Sequence, residues 1–274
     1  MEAGFACKAL DFQETYQIGD QLFAFGRVLH FDKKYKKVDN WILTYRYAIR
    51  GMLARILSVD RNFENLSEFG VGTTPPLNIQ TSLSSNDWNI VWESYAATLF
   101  FGMDSSLECF AHALNALGFL RRPSEFIDIT DPAKLKRINP LNLFDPPSRN
   151  NEKFSIHRFC SRMFPKICSH WSKNNLLLST IIEYHDATKH RHSVVLGQYR
   201  EPPFEHLICV DPKRAMNQIK FDHPRSFVPH NQDDTLQSIA RKYQVFINEW
   251  VLVIREELED VFEMPLPKSA DFGI

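Results

Sequence analysis

Between Trp88 and Leu117 one apolar pattern persists for about thirty residues. Trp88, Trp92, Tyr95, Leu99, Met103, Leu107, Phe110, Leu114 and Leu117 recur every three or four positions, the spacing of one helix face. Asn86-Asp87 opens the run, Gly118 offers a C-cap and Pro123 a stop. Val91, Phe100 and Ala111 add apolar groups off the stripe. A helix apolar on most sides must be surrounded by others, so this segment demands a helical bundle. Glu93, Glu108 and His112 then become semi-buried polar residues.

Other segments repeat the period. Asp39 is positioned to cap a helix to about Leu57, with Trp41, Tyr45, Ala48, Met52 and Ile56 on its apolar stripe. Residues 60–86, with Gly70, Gly72 and Thr73-Thr74-Pro75-Pro76, read as a long loop. Residues 121–153 form a proline-punctuated connection with one short helix near Pro132–Arg137. Helices are predicted over about Ser155–Cys168 and Lys173–His190, and from Asp233 or Asp234 to Phe262. Leu236, Ile239, Tyr243, Phe246, Ile247, Trp250, Val253 and Ile254 line the inner face of the last. His192–Tyr199, with Val194-Val195-Leu196, and His206–Asp211, with Leu207-Ile208-Cys209-Val210, read as two short strands around Pro202-Pro203. The expected fold is all-α, mainly a helical bundle, with a small β-hairpin or ribbon near 192–211. We expect one helical domain over residues 1–274 with long proline-rich connecting loops, and mutual burial of the helices that carry Trp92 and Trp250.

Charge and cysteine usage bound the environment. The 32 basic and 33 acidic side chains leave a formal charge of −1, which argues against net charge as the means of binding nucleic acid or membrane. The five cysteines have no CxxC spacing and read as reduced thiols. Lys8 and Asp11 interrupt any apolar leader segment, and no run reaches the ~18 apolar residues of a membrane helix. A cytoplasmic location without membrane contact is the expectation. Lys33-Lys34-Tyr35-Lys36-Lys37 could touch phosphates, although charge runs of this kind usually form solvated loops.

The stretch with chemistry is Glu183-Tyr184-His185-Asp186-Ala187-Thr188-Lys189-His190-Arg191-His192. At about 100° per residue, His185, Lys189 and His192 project within about 60° of one another, with Asp186 and His190 beside them. One face then combines a carboxylate, imidazoles and a cation, the material of acid–base chemistry near neutral pH. Lys189, His190, Arg191 and His192 also complement the negative end of the helix dipole, which requires no further function. A non-enzymatic helical interaction module is therefore one reading. A second takes His185-Asp186 as the HD pair of HD-type metal phosphohydrolases, with His157 and one of Asp233, Asp234 or Asp260 completing the ligands. Lysine and arginine neighbours disfavour a dication there, so no metal and no cofactor is expected.

The spacing His185-Asp186-Ala187-Thr188-Lys189-His190, followed by Arg191, resembles the signature helix of HEPN domains, the nucleotide-binding helical bundles of prokaryotes and higher eukaryotes. That motif is an arginine, four to six residues, then a histidine, often with a polar residue directly after the arginine. His190 matches the family histidine and Asp186 the polar position, while His185 stands where the arginine belongs. The resemblance implies metal-independent RNA cleavage by 2′-hydroxyl attack, weak or degenerate here. His190 would be general base or acid, and His185, Lys189 or Arg191 would stabilise the phosphorane charge. It also implies RNA or a nucleotide as ligand and a homodimer that completes the site.

Overall fold

The computed structural model describes residues 9–32, 39–71, 85–148, 152–190, 195–201, 204–209 and 236–268. Side chains are described for these except 39, 66–71, 85–93, 187, 190 and both strands. Helices dominate. In chain order they are α1 (Gln13–Phe31), α2 (Asp39–Val71), α3 (Ser85–Arg121), α4 (Pro132–Leu135), α5 (Pro140–Leu143), α6 (His157–Met163), α7 (Pro165–Lys173), α8 (Asn175–His190) and α9 (Leu236–Phe262). Strands β1 (Val195–Glu201) and β2 (Phe204–Cys209) pair antiparallel, with an irregularity between Val195 and Gly197. No helix among the described residues is long and apolar enough to cross a membrane.

The long apolar pattern becomes α3. Leu99, Met103, Leu107, Phe110, Leu114 and Leu117 are buried, and so are Phe100, Ala111, Ala113 and Ala116, so the helix is enclosed on most of its circumference. His112 is half-buried, and loss of solvent pushes its imidazole pKa down. Glu108 departs from expectation and faces solvent. The side chains of Trp88, Trp92 and Glu93 lie outside those described.

Several boundaries differ from those expected. Helix α1 was not anticipated, although Ile18, Leu22, Phe25 and Leu29 recur at helical spacing and are buried. Residues 60–71 continue α2 rather than opening a loop, because Val59 and Phe63 extend the buried stripe of Ile56 by another two turns. Residues 72–84 and the lysine run 33–37 lie outside the described residues. The helix expected over Ser155–Cys168 is two, α6 and α7, because Pro165 cannot continue α6 and instead begins α7. Gly118 is not a C-cap but an interior residue of α3. A Cβ there would collide with the ring of Phe126, itself buried against Phe164. Gly118→Ala should therefore destabilise the fold by about 1–3 kcal/mol of overpacking, despite alanine's better helix propensity. Urea denaturation of the variant checks this, and an increase in stability would show that Phe126 moves aside freely.

The chain divides into two compact units interleaved in sequence. Unit 1 gathers Met1–Asp11, Ile56–Asp104 and Leu176–Val245, and unit 2 gathers Phe12–Arg55, Ser105–Asn175 and Phe246–Ile274. Unit 2 is built on an aromatic cluster. The Trp250 ring centroid lies 4.5 Å from Phe110, 5.1 Å from Phe246, 5.8 Å from Phe144 and 5.9 Å from Trp171. Thus α3 and α9 meet there through Phe110 and Trp250. Buried Asn115 is matched inside the unit. The Asn115 side chain donates to Ile127 O at 2.8 Å and accepts from Ile127 N at 3.0 Å, which pins the connection after α3. Helix α7 has no side-chain cap of its own. Glu257 of α9 supplies one, accepting the Ile167 N–H at 3.0 Å. The thiols of Cys160 and Cys168, both buried, lie 3.8 Å apart on α6 and α7. In unit 1, the Arg241 guanidinium lies 5.4 Å from the ring centroid of Phe63.

Candidate functional site

Helix α8 carries the chemistry-bearing stretch, and within unit 1 it packs on the middle of α3. The Tyr184 ring stacks on Phe100 with centroids 4.6 Å apart, and Phe101 meets His185 edge-on at 5.5 Å. These contacts follow from the apolar face of α8, where Leu178, Ile181 and Tyr184 are buried. One turn beyond Ile181 on that face comes His185, which is 6% exposed.

A buried imidazole needs a partner, and His185 has one. Its Nδ1 lies 2.5 Å from Oδ2 of Asp104, which is likewise buried. An ionised carboxylate only accepts, so with Asp104 charged the Nδ1 of His185 carries the proton. The tautomer and ring orientation are then fixed, and Nε2 is the ring nitrogen left for other chemistry. The helix turn is tightened by Thr188, whose hydroxyl donates to His185 O at 2.9 Å.

The expected site residues therefore separate. His185 is directed onto α3, whereas Asp186 and Lys189 are exposed. His190 ends α8, but its side chain lies outside those described, and Arg191 and His192 lie outside the described residues altogether. The metal-ligand set of the HD reading fares differently. Asp233 and Asp234 are outside the described residues. His157 Nδ1 lies 3.2 Å from Leu143 O, and Asp260 accepts from Lys166 Nζ at 2.7 Å. Among the described residues no three His, Cys, Asp or Glu side chains converge as a metal site would require.

Asp104 is the functional candidate that the sequence reading missed. In the sequence it stands three residues after the apolar run Leu99–Phe101. The usable signal was a carboxylate within a helix apolar on most sides, since such a group requires a buried partner. Which partner it takes, 81 residues away, is not encoded locally. No protein-family model, curated protein or solved structure matches this chain.

Proposed function

We propose that this chain is a HEPN-like helical module that associates with RNA or a nucleotide and whose cleavage chemistry is degenerate. The observation that carries this reading is the burial of His185 against Asp104. The HEPN resemblance requires a guanidinium at that position, facing the substrate phosphate. A shielded imidazole already matched by a carboxylate offers no free cation to a developing phosphorane, where such stabilisation is often the largest catalytic contribution. What remains at the end of α8 is exposed Lys189, a point charge suited to phosphate, next to the motif histidine His190. Such a remnant binds rather than cleaves. Completion of the ligand site by a second copy of the chain belongs to the same reading.

The test is incubation of the purified chain with single-stranded RNA across pH 5–8, with and without chelator. The expected result is binding without production of cyclic-phosphate ends, and no change on replacing His190 by alanine. Cleavage that survives chelation, leaves cyclic phosphates and falls by about 10²–10⁴ in His190→Ala would mark a working acid–base residue and overturn the degeneracy. Absence of any RNA or nucleotide binding would leave the interaction-module reading, in which Lys189 and His190 simply complement the helix dipole.

A further inference from the structure

Unit 2 carries a second concentration of positive charge, on α1 and the first half of α2. Arg46 and Arg50 stand one turn apart on α2, a spacing at which like charges repel. Both are nevertheless gathered at one ring of α1. The Arg46 and Arg50 guanidinium carbons lie 4.5 and 5.4 Å from the centroid of Phe23. Gly26 makes room for this, because a Cβ there would collide with the Arg46 stem. Arg27, also on α1, is the third cation. Burial first, then the charge of Arg27, push the Arg46 pKa down, with Arg50 adding to the effect and Tyr47 opposing it. Among the described residues neither Arg46 nor Arg50 forms an ion pair.

Large apolar groups are exposed beside these cations. Tyr47 is 66% exposed, and Leu43 and Arg50, a turn away on either side, share its helix face. Arg46 and Arg50, crowded at one ring and without an ion pair among the described residues, are unfavourable alone and become favourable against phosphate, which arginine engages through paired donors. An exposed tyrosine among such cations supplies a stacking platform, the second element of single-strand recognition, and any base can occupy it. An acidic peptide would satisfy the cations but leave the ring unused.

We propose that Arg46 and Arg50 with Tyr47 form a binding surface for single-stranded RNA, the guanidiniums on phosphates and Tyr47 against a base. The choice of RNA rests on the reading given above, but the residues belong to unit 2, whereas the end of α8 belongs to unit 1. The local patch attracts a polyanion although the chain as a whole is at −1.

The experiment measures fluorescence anisotropy of a labelled oligouridylate with the full chain between about 50 and 200 mM salt. Arg50→Glu and Tyr47→Ala alter exposed side chains, and unchanged circular dichroism and melting would verify the fold. Arg50→Glu is expected to weaken binding about tenfold or more and to flatten its salt dependence by about one unit of slope. Tyr47→Ala should weaken it about fivefold or more with the salt slope retained. Lys189→Glu, on α8, should weaken binding less than Arg50→Glu does, as loss of a single point charge at the end of that helix would. The proposal is overturned if both unit 2 variants bind as the wild type does. If Lys189→Glu alone loses affinity, the RNA-associated reading stands and this surface is wrong. If the wild type ignores oligouridylate yet binds polyglutamate or anionic vesicles through Arg50, the choice of RNA fails.

Discussion

Trp250→Ala is expected to destabilise the protein by about 3–5 kcal/mol, the usual cost of truncating a fully buried indole. The residue has no exposed surface and lies among Phe110, Phe144, Trp171 and Phe246, each from a different helix or connection of unit 2. Removing its ring deprives four aromatic neighbours of a shared contact, and rigid rings collapse poorly into the space left. The indole N–H finds no acceptor among the described residues, so Trp250→Phe loses volume but no hydrogen bond. That variant should cost under about 1.5 kcal/mol. Equilibrium urea denaturation of both variants checks the pair of values. A loss below about 1 kcal/mol for the alanine variant would refute a central position for Trp250.

Breaking the pair in unit 1 gives the second large effect. Asp104→Ala leaves a buried imidazole N–H without its acceptor, and an orphaned buried donor costs about 1–3 kcal/mol. His185→Leu leaves the opposite defect, a buried carboxylate without a partner, and should cost at least as much because the orphan is charged. Combining Asp104→Ala with His185→Leu removes the orphan from each side. The double variant should therefore be less destabilised than the sum of the single ones, with a coupling of about 1–3 kcal/mol. A complete double-mutant cycle by denaturation measures this. Strict additivity would mean that the short Nδ1–Oδ2 contact contributes nothing, and with it would go the reason for regarding position 185 as withdrawn from chemistry.

Periodic burial was legible in the sequence wherever it ran long. The stripes of α3 and α9 define those helices because every third or fourth residue must enter a core. Helix α1 carries the same signal in Ile18, Leu22, Phe25 and Leu29, but Phe23 and Val28 between them blur the face. The extension of α2 was obscured by Gly70 and Gly72, which weigh heavily as breakers although the buried stripe runs on through Phe63. Gly118 looked like a helix end because glycine is common there; its actual reason, the approach of Phe126, comes from the connection folding back. At the candidate site the polar run at the end of α8 was visible, but its division was not. Helical geometry places His185 and Lys189 on neighbouring positions, and only the packing of α8 on α3 decides that one is buried and the other exposed. Likewise nothing local reveals that Phe23 gathers two arginines of α2.

The capping of α7 by Glu257 has a consequence for how the protein emerges from the ribosome. The Thr15 hydroxyl bonds the Asn248 side chain across 233 residues, Phe25 of α1 packs edge-on against Phe262 at 5.3 Å, and the first turn of α7 waits for a carboxylate 90 residues downstream. Vectorial synthesis delivers α1, α6 and α7 long before α9 exists. Until residues 236–262 leave the exit tunnel, the aromatic walls around the future position of Trp250 stay uncovered, and nascent chains must be shielded or remain loosely collapsed. Unit 2 is thus a fold that closes after translation of α9 rather than one that accumulates helix by helix.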